Sequence, residues 1–397
     1  MSTLGRRALL SGGLALPAAV AAAQGGPPVW RLRASFPIER IDEFLPAFQR
    51  FAASQPGLMM EALVRVDDAG LVSPDFNATV RPWQLRSDAA LVDSATLAVG
   101  ASRGMWLPLP EAWHEMARGS HPTLTRLMAP LAGQEGALLS AEPGGPFLVH
   151  RRDRAASLPR DPVALLDYAR QNPGRFFYVR PAESGFSQLF LMALPHLLGD
   201  RDPSDAQTGW DKSWSWLAEI SRHIGFYPSS DDAALDEFAM AGADLFPTSL
   251  AGFLKARLDG TLAEDTDVAT LGGGLIVPRG MFLVMPRHVA AERRTAAEPL
   301  LRYLLGAQAQ AQVFGRGLLP GEAGFGLDHA APRTDAETAA WHLALPADRT
   351  EAIATMRLAP PLPALQYTFM LNRWEEQIGS RHNEPPQEIL TSGTQPP

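Results

Sequence analysis

The sequence contains no cysteine. This absence excludes disulfide scaffolds, Cys-ligated zinc, thiol catalysis and a lipid-modified N-terminal cysteine. Lysine occurs only at Lys212 and Lys255, and 35 basic residues stand against 43 acidic ones, which gives a formal net charge of -8 at pH 7. Because the body of the chain has no basic cluster that could follow a phosphate backbone, nucleic acid is not expected as a partner.

Several catalytic and binding motifs are also missing. The nine histidines show no H-E-x-x-H spacing, and neither the G-x-S-x-G turn of a serine hydrolase nor a glycine-rich nucleotide loop occurs. The adjacent acids Asp231-Asp232 and Glu375-Glu376 are interpreted as helix-start and helix-surface residues, because successive positions on a helix point apart. We therefore expect no catalytic residue, no metal and no cofactor.

Residues 1–23 have the pattern of a secretory signal peptide. Arg6-Arg7 precede an apolar run from Ala8 to Val20, and Ala21-Ala22-Ala23 forms a small-residue cleavage site before Gln24. The apolar run is short and rich in alanine and glycine, which disfavours the alternative of a membrane anchor. The paired arginines also fit a twin-arginine export signal, so the route of export stays open.

Beyond residue 23, strand-like and helix-like segments alternate, which predicts an α/β fold with mainly parallel sheets flanked by helices. Val29 to Phe36 and Leu58 to Val66 indicate strands around a helix that starts near Ile41. A third strand, Ala89 to Asp93, runs into Ser94-Ala95-Thr96, which is interpreted as a polar turn over a cleft.

Two further polar turns follow strand-like segments and open helices. They are Ser184-Gly185-Phe186-Ser187 and Pro247-Thr248-Ser249. Ligands of open α/β sheets lie outside the carboxyl ends of the strands, so both turns are expected at one crevice, although these residues could equally be simple helix caps. The tryptophans at 210, 214 and 216 suit core packing, with a cleft wall as the alternative. The predicted ligand-binding residues are Ser35, Ser94, Thr96, Ser184, Gly185, Ser187, Trp210, Thr248 and Ser249.

A family resemblance rests on several of these segments. The run from Tyr168 to Tyr178, YARQNPGRFFY, followed by Ser184-Gly185 at a helix start, resembles the extracellular solute-binding proteins of bacterial ABC importers, in particular the YnjB-like branch. Asp161-Pro162 with Leu165, the alanine-rich stretch from Ala296 to Gln312, and Trp374 are similar to further segments of that family. The chain departs from the family pattern at Phe147 to Arg151, where a Tyr-Asn-Lys sequence is usual.

The resemblance implies the two-lobed type 2 periplasmic binding fold. With composition shifts near Gly144-Gly145 and Gly272-Gly273-Gly274, it predicts lobe 1 over 27–145 plus 275–397, lobe 2 over 146–274, and a disordered tail over 380–397. It also implies a monomeric periplasmic protein that captures a small polar solute by hinge closure and delivers it to a membrane permease. The alternatives are an exported hydrolase or lyase on this scaffold and a sensory protein that presents its ligand to a receptor.

Overall fold

The computed structural model describes residues 14–15, 30–37, 41–55, 57–65, 87–120, 122–306, 309–310 and 356–380. Within these residues, strands form two sheets. The strands are β1 (Leu14–Ala15), β2 (Trp30–Pro37), β3 (Leu58–Arg65), β4 (Ala89–Asp93), β5 (Ala137–Gly145), β6 (Phe147–Arg151), β7 (Phe246–Thr248), β8 (Thr266–Thr270), β9 (Leu275–Val284) and β10 (Arg357–Leu358).

Helices surround both sheets and connect most of the strands. They are α1 (Ile41–Ser54), α2 (Ser94–Ser102), α3 (Glu111–Ser120), α4 (Pro122–Ala132), α5 (Pro162–Gln171), α6 (Gly185–Leu198), α7 (Asp211–Ile220), α8 (Asp231–Ala239), α9 (Leu250–Leu258), α10 (Ala291–Arg294), α11 (Glu298–Leu305) and α12 (Ala364–Trp374). The residues Glu375–Gly379 extend α12 as a π-helical turn.

The first βαβ unit begins the larger, seven-stranded sheet. Strand β2 pairs in parallel with β3 through the crossover helix α1, and it pairs in parallel with β4 on its other side. The predicted strand–helix–strand unit is therefore confirmed. Strand β9 then joins β4 antiparallel, with Asp93 opposite Met281, so that the carboxyl end of β4 lies beside the middle of β9.

Two connections join the seven-stranded sheet to the smaller sheet. Strand β5 pairs with β9 in the larger sheet, and β6, which begins two residues later, pairs with β7 and β8 in the smaller one. The return runs from β8 to β9 through Gly272, Gly273 and Gly274, whose φ angles of 65°, 74° and 86° lie in the left-handed region that favours glycine.

The strand pairing is mixed, whereas the sequence predicts mainly parallel sheets. The connecting strands account for the difference, because β5 leaves the larger sheet while β9 enters it, and the two strands therefore run antiparallel. In the smaller sheet, β6 is antiparallel to both of its neighbours.

Apolar residues bury both faces of the larger sheet. On one face, Phe36 of β2 packs against Phe44 and Phe48 of α1, at ring centroid distances of 5.7 and 5.2 Å, and all three side chains are fully buried. On the other face, Trp106, which follows α2, packs against Gly100 of that helix, where a Cβ atom would lie 2.1 Å from the indole nitrogen. The aromatic and aliphatic periodicity of α1 is therefore the pattern of a core-facing helix.

The helix α12 contacts both halves of the molecule. Thr368 donates a hydrogen bond of 3.0 Å to Ser102 of α2. Toward the smaller sheet, the Trp374 indole donates to the Tyr178 hydroxyl at 3.0 Å, and Arg180 forms an ion pair of 2.6 Å with Glu375. The last described helix thus contacts α2, beside the larger sheet, and the segment Tyr178 to Arg180, beside the smaller one.

The structure differs from the prediction for one strand-like segment and locates the predicted interruption of one helical segment. The segment Arg175 to Val179, a strand by sequence pattern, makes a single bridge between Phe176 and Leu245, because the following Phe246 pairs with Val149 of β6 instead. The helical tract predicted from Ala290 to Phe314, with an interruption or re-entry at Pro299, is observed over its described residues as α10, a 3-10 turn at Thr295–Ala297 and α11, so the interruption falls just before Pro299.

Several predictions concern residues outside the described ranges. These are the arginines and cleavage site of the signal peptide, residues 307–308 and 311–312 of the alanine-rich stretch, and residues 381–397 of the tail. Leu14–Ala15, which falls inside the predicted signal peptide, pairs antiparallel with β3. No helix among the described residues combines the length and hydropathy needed to cross a membrane.

Replacement of Gly144 by alanine is expected to destabilise the protein by roughly 1 to 3 kcal/mol, because overpacking at a rigid site forces backbone shifts. A Cβ atom at Gly144 would lie 2.2 Å from the Val277 carbonyl oxygen and 2.9 Å from the Leu189 methyl carbons. Urea unfolding of Gly144→Ala measures the effect.

Gly119→Ala is the matched control. A Cβ atom at this exposed position of α3 meets nothing within 4 Å, so alanine should be neutral or stabilise by about 0.5 to 1 kcal/mol. Equal stability of Gly144→Ala and the unmodified protein would contradict the close packing of the two connecting segments.

Candidate functional site

The carboxyl end of β4 leads directly into α2. Asp93 caps this helix, and its carboxylate accepts a hydrogen bond of 2.8 Å from the Thr96 amide. The predicted polar turn Ser94-Ala95-Thr96 is wrong, because these residues form the first turn of α2 once Asp93 supplies the cap. The Ser94 hydroxyl accepts from the Gly280 amide at 2.9 Å and fixes the helix start against β9.

Arg279 of β9 extends from this same point. Its guanidinium donates to the Asp93 carboxylate at 3.1 Å, although the two residues lie 186 positions apart. Burial alone would raise the pKa of Asp93, but the Arg279 charge and the hydrogen bonds from Thr96 outweigh it and hold the pKa below its ordinary value. Asp93 is therefore an ionised cap at neutral pH.

The amino end of α6 faces Arg279 from the other half of the molecule. The Ser184 hydroxyl caps α6 by accepting from the Ser187 amide at 3.0 Å. At Gly185, a Cβ atom would lie 3.2 Å from the Arg279 guanidinium carbon, so the glycine lets the arginine approach the helix end closely. A cation beside the positive end of a helix requires a nearby anion.

Asp231, the first residue of α8, supplies this anion. Its carboxylate accepts hydrogen bonds from the Ser184 hydroxyl and from the Phe186 amide, and it interacts electrostatically with Arg279. Burial raises the pKa of Asp231 to about 6, although the two hydrogen bonds and Arg279 act in the opposite direction. The negative charge at Asp231 is thus less well compensated than the charge at Asp93.

A further helix start, that of α9, packs against α6. The Ser249 hydroxyl caps α9 by accepting from the Gly252 amide at 3.0 Å. A Cβ atom at Gly252 would lie 2.3 Å from the Phe186 ring, and one at Gly145 would lie 2.6 Å from the Thr248 carbonyl oxygen. The amino ends of α2, α6, α8 and α9 therefore meet at the segments that connect the two sheets. We call this region, with Asp93, Arg279, Ser184, Asp231 and Ser249 at its helix ends, the helix-start cluster.

The helix α12 closes one side of the helix-start cluster. The Tyr367 hydroxyl donates to Gln188 of α6 at 2.8 Å, and the Gln188 amide donates to the Pro181 carbonyl at 2.6 Å. Burial raises the pKa of Tyr367, and the Asp93 charge raises it further. This hydroxyl is therefore a neutral hydrogen-bond donor at neutral pH.

The structure brings together seven of the nine predicted binding residues. In the helix-start cluster lie Ser94, Thr96, Ser184, Gly185, Ser187, Thr248 and Ser249. The predicted Pro247-Thr248-Ser249 turn divides, since Pro247 and Thr248 belong to β7 while Ser249 caps α9. Capping, the alternative interpretation of Ser184 and Ser249, is observed at both positions.

Ser35 and Trp210 lie elsewhere. The Ser35 hydroxyl donates to the Ser87 hydroxyl at 3.3 Å, and Ser87 precedes β4, at the opposite end of that strand from Asp93. Trp210 is 1% exposed, and its indole donates to the Pro203 carbonyl at 3.0 Å. The packing interpretation of the three tryptophans is confirmed, since Trp214 and Trp216 are also buried.

Three charged residues of the helix-start cluster, Asp93, Asp231 and Arg279, are not among the predicted binding residues. Asp93 stands one position before the predicted binding residue Ser94. An aspartate directly ahead of a first helical turn is a sequence signal for a helix N-cap, and this signal could have identified Asp93. Asp231 does begin a helix, as predicted, but its carboxylate is turned toward α6 and not toward solvent. No local pattern marks Arg279, because only the pairing of β9 with β4 places it at the cluster.

Comparison of this chain with protein families gives one match of substantial length. The model of the family described as bacterial extracellular solute-binding protein matches residues 86–340, which is more than half of the chain. No curated protein matches the sequence significantly. The matched range includes β4 to β9 and therefore every residue of the helix-start cluster named above.

Solved structures resemble the fold over most of its length. An ABC transporter protein from Clostridium perfringens is 10% identical, with a TM-score of 0.61, and the alignment covers 89% of this chain and 100% of that one. The spermidine/putrescine substrate-binding protein PotD from Streptococcus pneumoniae gives 10% identity, the same coverages and a TM-score of 0.56. Ferric ion-binding protein A from Pasteurella haemolytica is 14% identical, with a TM-score of 0.56, and the alignment covers 90% of this chain and 99% of that one. Likeness at these identities shows the fold alone, and the predicted α/β type 2 periplasmic binding fold is confirmed.

Replacement of either capping serine by alanine is expected to cost about 0.5 to 2 kcal/mol of unfolding free energy, because a helix amide loses its acceptor. Urea unfolding of Ser184→Ala and Ser249→Ala measures the loss. The control is Ser215→Ala, since the exposed Ser215 hydroxyl donates to the Asp211 carbonyl inside α7 and caps nothing. If Ser184→Ala and Ser249→Ala lower the unfolding free energy no more than Ser215→Ala does, the capping role of the two serines would be contradicted.

Asp231→Asn is expected to stabilise the protein at neutral pH. The folded-state pKa of Asp231 is raised, so its stabilising contribution is present below the ordinary value of 3.8 and lost as the pH rises through about 6. The unfolding free energy gained with the neutral amide should therefore be about 1 to 2 kcal/mol near pH 8 and should vanish near pH 3.5. This range expresses the raised pKa as a free energy and is reduced because the Asp231 side chain is partly exposed to solvent.

Thermal unfolding at the two pH values checks this prediction. The exposed neighbour Asp232 gives the matched control Asp232→Asn, which removes the same formal charge from the same helix. A gain for Asp231→Asn that is equal at both pH values, or equal to the gain for Asp232→Asn, would show that burial of the Asp231 carboxylate is not the cause.

Proposed function

The chain belongs to the bacterial extracellular solute-binding protein family, and on this premise we propose that it is the solute-binding component of an ABC importer. The observation that carries the proposal is the helix-start cluster. The amino ends of α2, α6 and α8, from both sides of the connecting segments, lie around Arg279, and that of α9 packs against α6. Oriented backbone amides and charged side chains are groups that bind small polar solutes. We also propose that the chain belongs to the YnjB-like branch of this family.

We propose that the two sheets are the centres of two lobes. Lobe 1 comprises 27–145 plus 275–397, and lobe 2 comprises 146–274. The connections at Gly145 and at Gly272 to Gly274 support these bounds, since both fall where the chain passes from one sheet to the other. The contacts of α12 with Tyr178 and Arg180 would make this helix a link between lobes.

Solute capture would proceed by closure about the two connections. Hinges are a few positions that absorb backbone rotation, and the glycines at 272–274 already occupy the left-handed region. Closure would bring the Asp93 end of α2 and the Ser184 end of α6 onto opposite sides of the solute. Water would then be excluded from the charges of the helix-start cluster, which strengthens their interactions.

The protein is expected to be exported and to act with a membrane partner. The family is extracellular, and we propose that the signal peptide is cleaved near Ala23, that the mature chain is a periplasmic monomer, and that it delivers its solute to a membrane permease. The solved structures of similar fold are described as ABC transporter proteins, which supports this role.

We propose binding without turnover. The Ser184 hydroxyl accepts the Ser187 amide and donates to Asp231, so its described hydrogen bonds are those of a helix cap. A serine nucleophile would instead require a positioned base and an amide pair directed at an oxyanion. Turnover of the retained solute by the purified protein would favour the hydrolase or lyase alternative.

Closure predicts a smaller radius of gyration in the presence of the solute. The exported protein is purified without refolding, its retained solute is removed by extended dialysis, and small-angle scattering is recorded before and after the solute is restored. The dialysed protein measured twice without solute is the control. An unchanged radius at saturating solute would contradict capture by hinge closure.

A further inference from the structure

The helix α12 is attached to the larger sheet through α2. The two helices pack against each other, and the buried residues of both belong to one continuous group of buried apolar side chains. Thr368 adds its hydrogen bond of 3.0 Å to Ser102 at the end of α2. Because α2 follows β4 directly, this contact joins α12 to a helix of the larger sheet and not to its connecting strands.

The carboxyl end of α12 is attached to the half of the molecule around the smaller sheet. Trp374 is 1% exposed, and its indole donates to the Tyr178 hydroxyl at 3.0 Å. The ring centroids of Trp374 and Tyr227 lie 5.1 Å apart, with the two planes nearly perpendicular. The next residue, Glu375, forms the ion pair of 2.6 Å with Arg180. An aromatic side chain of α12 is therefore inserted among the aromatic residues of the other half.

Two further contacts connect α12 to separate segments of the same half. The Arg373 guanidinium lies 4.8 Å from the centre of the Trp214 ring and donates to the Gln207 carbonyl at 2.9 Å. The Tyr367 hydroxyl donates to Gln188 of α6 at 2.8 Å. The attachment therefore extends along the helix and includes α6, which begins at the helix-start cluster.

These contacts differ in what they contribute to the attachment. The side chains of Arg180 and Glu375 are each about one-third exposed, and ion pairs in contact with solvent contribute little stability. Trp374 buries a large aromatic surface, and its loss would leave the buried Tyr178 hydroxyl without this donor. Trp374 is thus the residue on which the attachment mainly depends.

We infer that α12 is a strap that couples the two lobes into one cooperative unfolding unit, with Trp374 as its attachment to lobe 2. This inference rests on the proposed division into two lobes, although it requires no solute. Domains joined only by short connections move and unfold separately, whereas an extensive apolar contact couples them. The strap supplies such a contact in addition to the connections at Gly145 and at Gly272 to Gly274.

The competing hypothesis is that α6 couples the lobes, because it packs against both connecting segments. A Cβ atom at Gly144 would lie 2.9 Å from the Leu189 methyl carbons, and one at Gly272 would lie 2.3 Å from a Leu197 methyl carbon. These contacts are made with the connections themselves, which rotation of the lobes must deform. The contact of α12 with α2 lies outside the connections, so the geometry favours the strap.

Scanning calorimetry of the exported protein, dialysed free of solute, tests the inference. The unmodified protein should unfold in one transition with equal calorimetric and van't Hoff enthalpies. Trp374→Ala should unfold in two transitions, because each lobe then loses its cooperativity with the other. The matched control is Trp216→Ala, since the buried Trp216 indole donates to the Pro162 carbonyl at 2.8 Å inside lobe 2. This variant should unfold at a lower temperature and in one transition.

Three results would overturn the strap. They are two transitions in the unmodified protein, a single transition in Trp374→Ala, and two transitions in Trp216→Ala as well. The second of these results is the one that coupling through α6 predicts. Since neither protein is measured with a solute, failure of the strap leaves the proposed solute capture standing, and scattering with the restored solute tests that capture separately.

Hydrogen exchange decides the question if Trp374→Ala cannot be purified as a folded protein. Trp374→Phe keeps an aromatic ring but cannot donate to Tyr178. In this variant, exchange of the amides in one sheet should accelerate by about tenfold or more relative to the other sheet, because the lobes open separately. In Trp216→Phe, exchange in both sheets should accelerate together. Equal acceleration in both sheets of Trp374→Phe would overturn the inference.

Discussion

The pairing of Arg279 with Asp93 is the interaction on which the arrangement of the site depends. A guanidinium lies among the amino ends of helices, where the backbone already contributes positive potential, and this placement is tenable only with carboxylates beside it. Asp93 supplies one as the cap of α2, and Asp231 supplies the second at the start of α6. Because Arg279 belongs to β9, the strand that returns from the smaller sheet, the same contact also fixes α2 against the connecting segments.

Stability and binding make opposite demands on these groups. Asp93 is compensated by an arginine and a helix amide, so its charge supports the fold, and burial there is tolerated. Asp231 is held mainly by neutral donors, and its burial opposes ionisation. A site whose charges were all internally balanced would have little free energy left for a charged solute, since binding requires interactions that the free protein does not already satisfy.

Local sequence patterns predicted the parts of the fold that depend on local interactions. The βαβ unit around α1 and the caps at Ser184 and Ser249 follow from periodicity and from side chains that accept helix amides. The antiparallel pairing of β9 with β4 has no local signal, so neither the mixed sheet nor the position of Arg279 could be foreseen. Ser35 lies outside the helix-start cluster because β2 and β4 pair in a staggered parallel register that places Ser35 opposite Ala90, near the start of β4, and no local pattern reveals this register.

A crystal structure of the exported protein with its retained solute tests the central claim most directly. The solute is expected to lie between the starts of α2 and α6, with Arg279 still paired with Asp93. A solute bound outside the helix-start cluster, for example in the cavity of about 610 Å³ lined by Gln55, Thr295 and Tyr303, would contradict it.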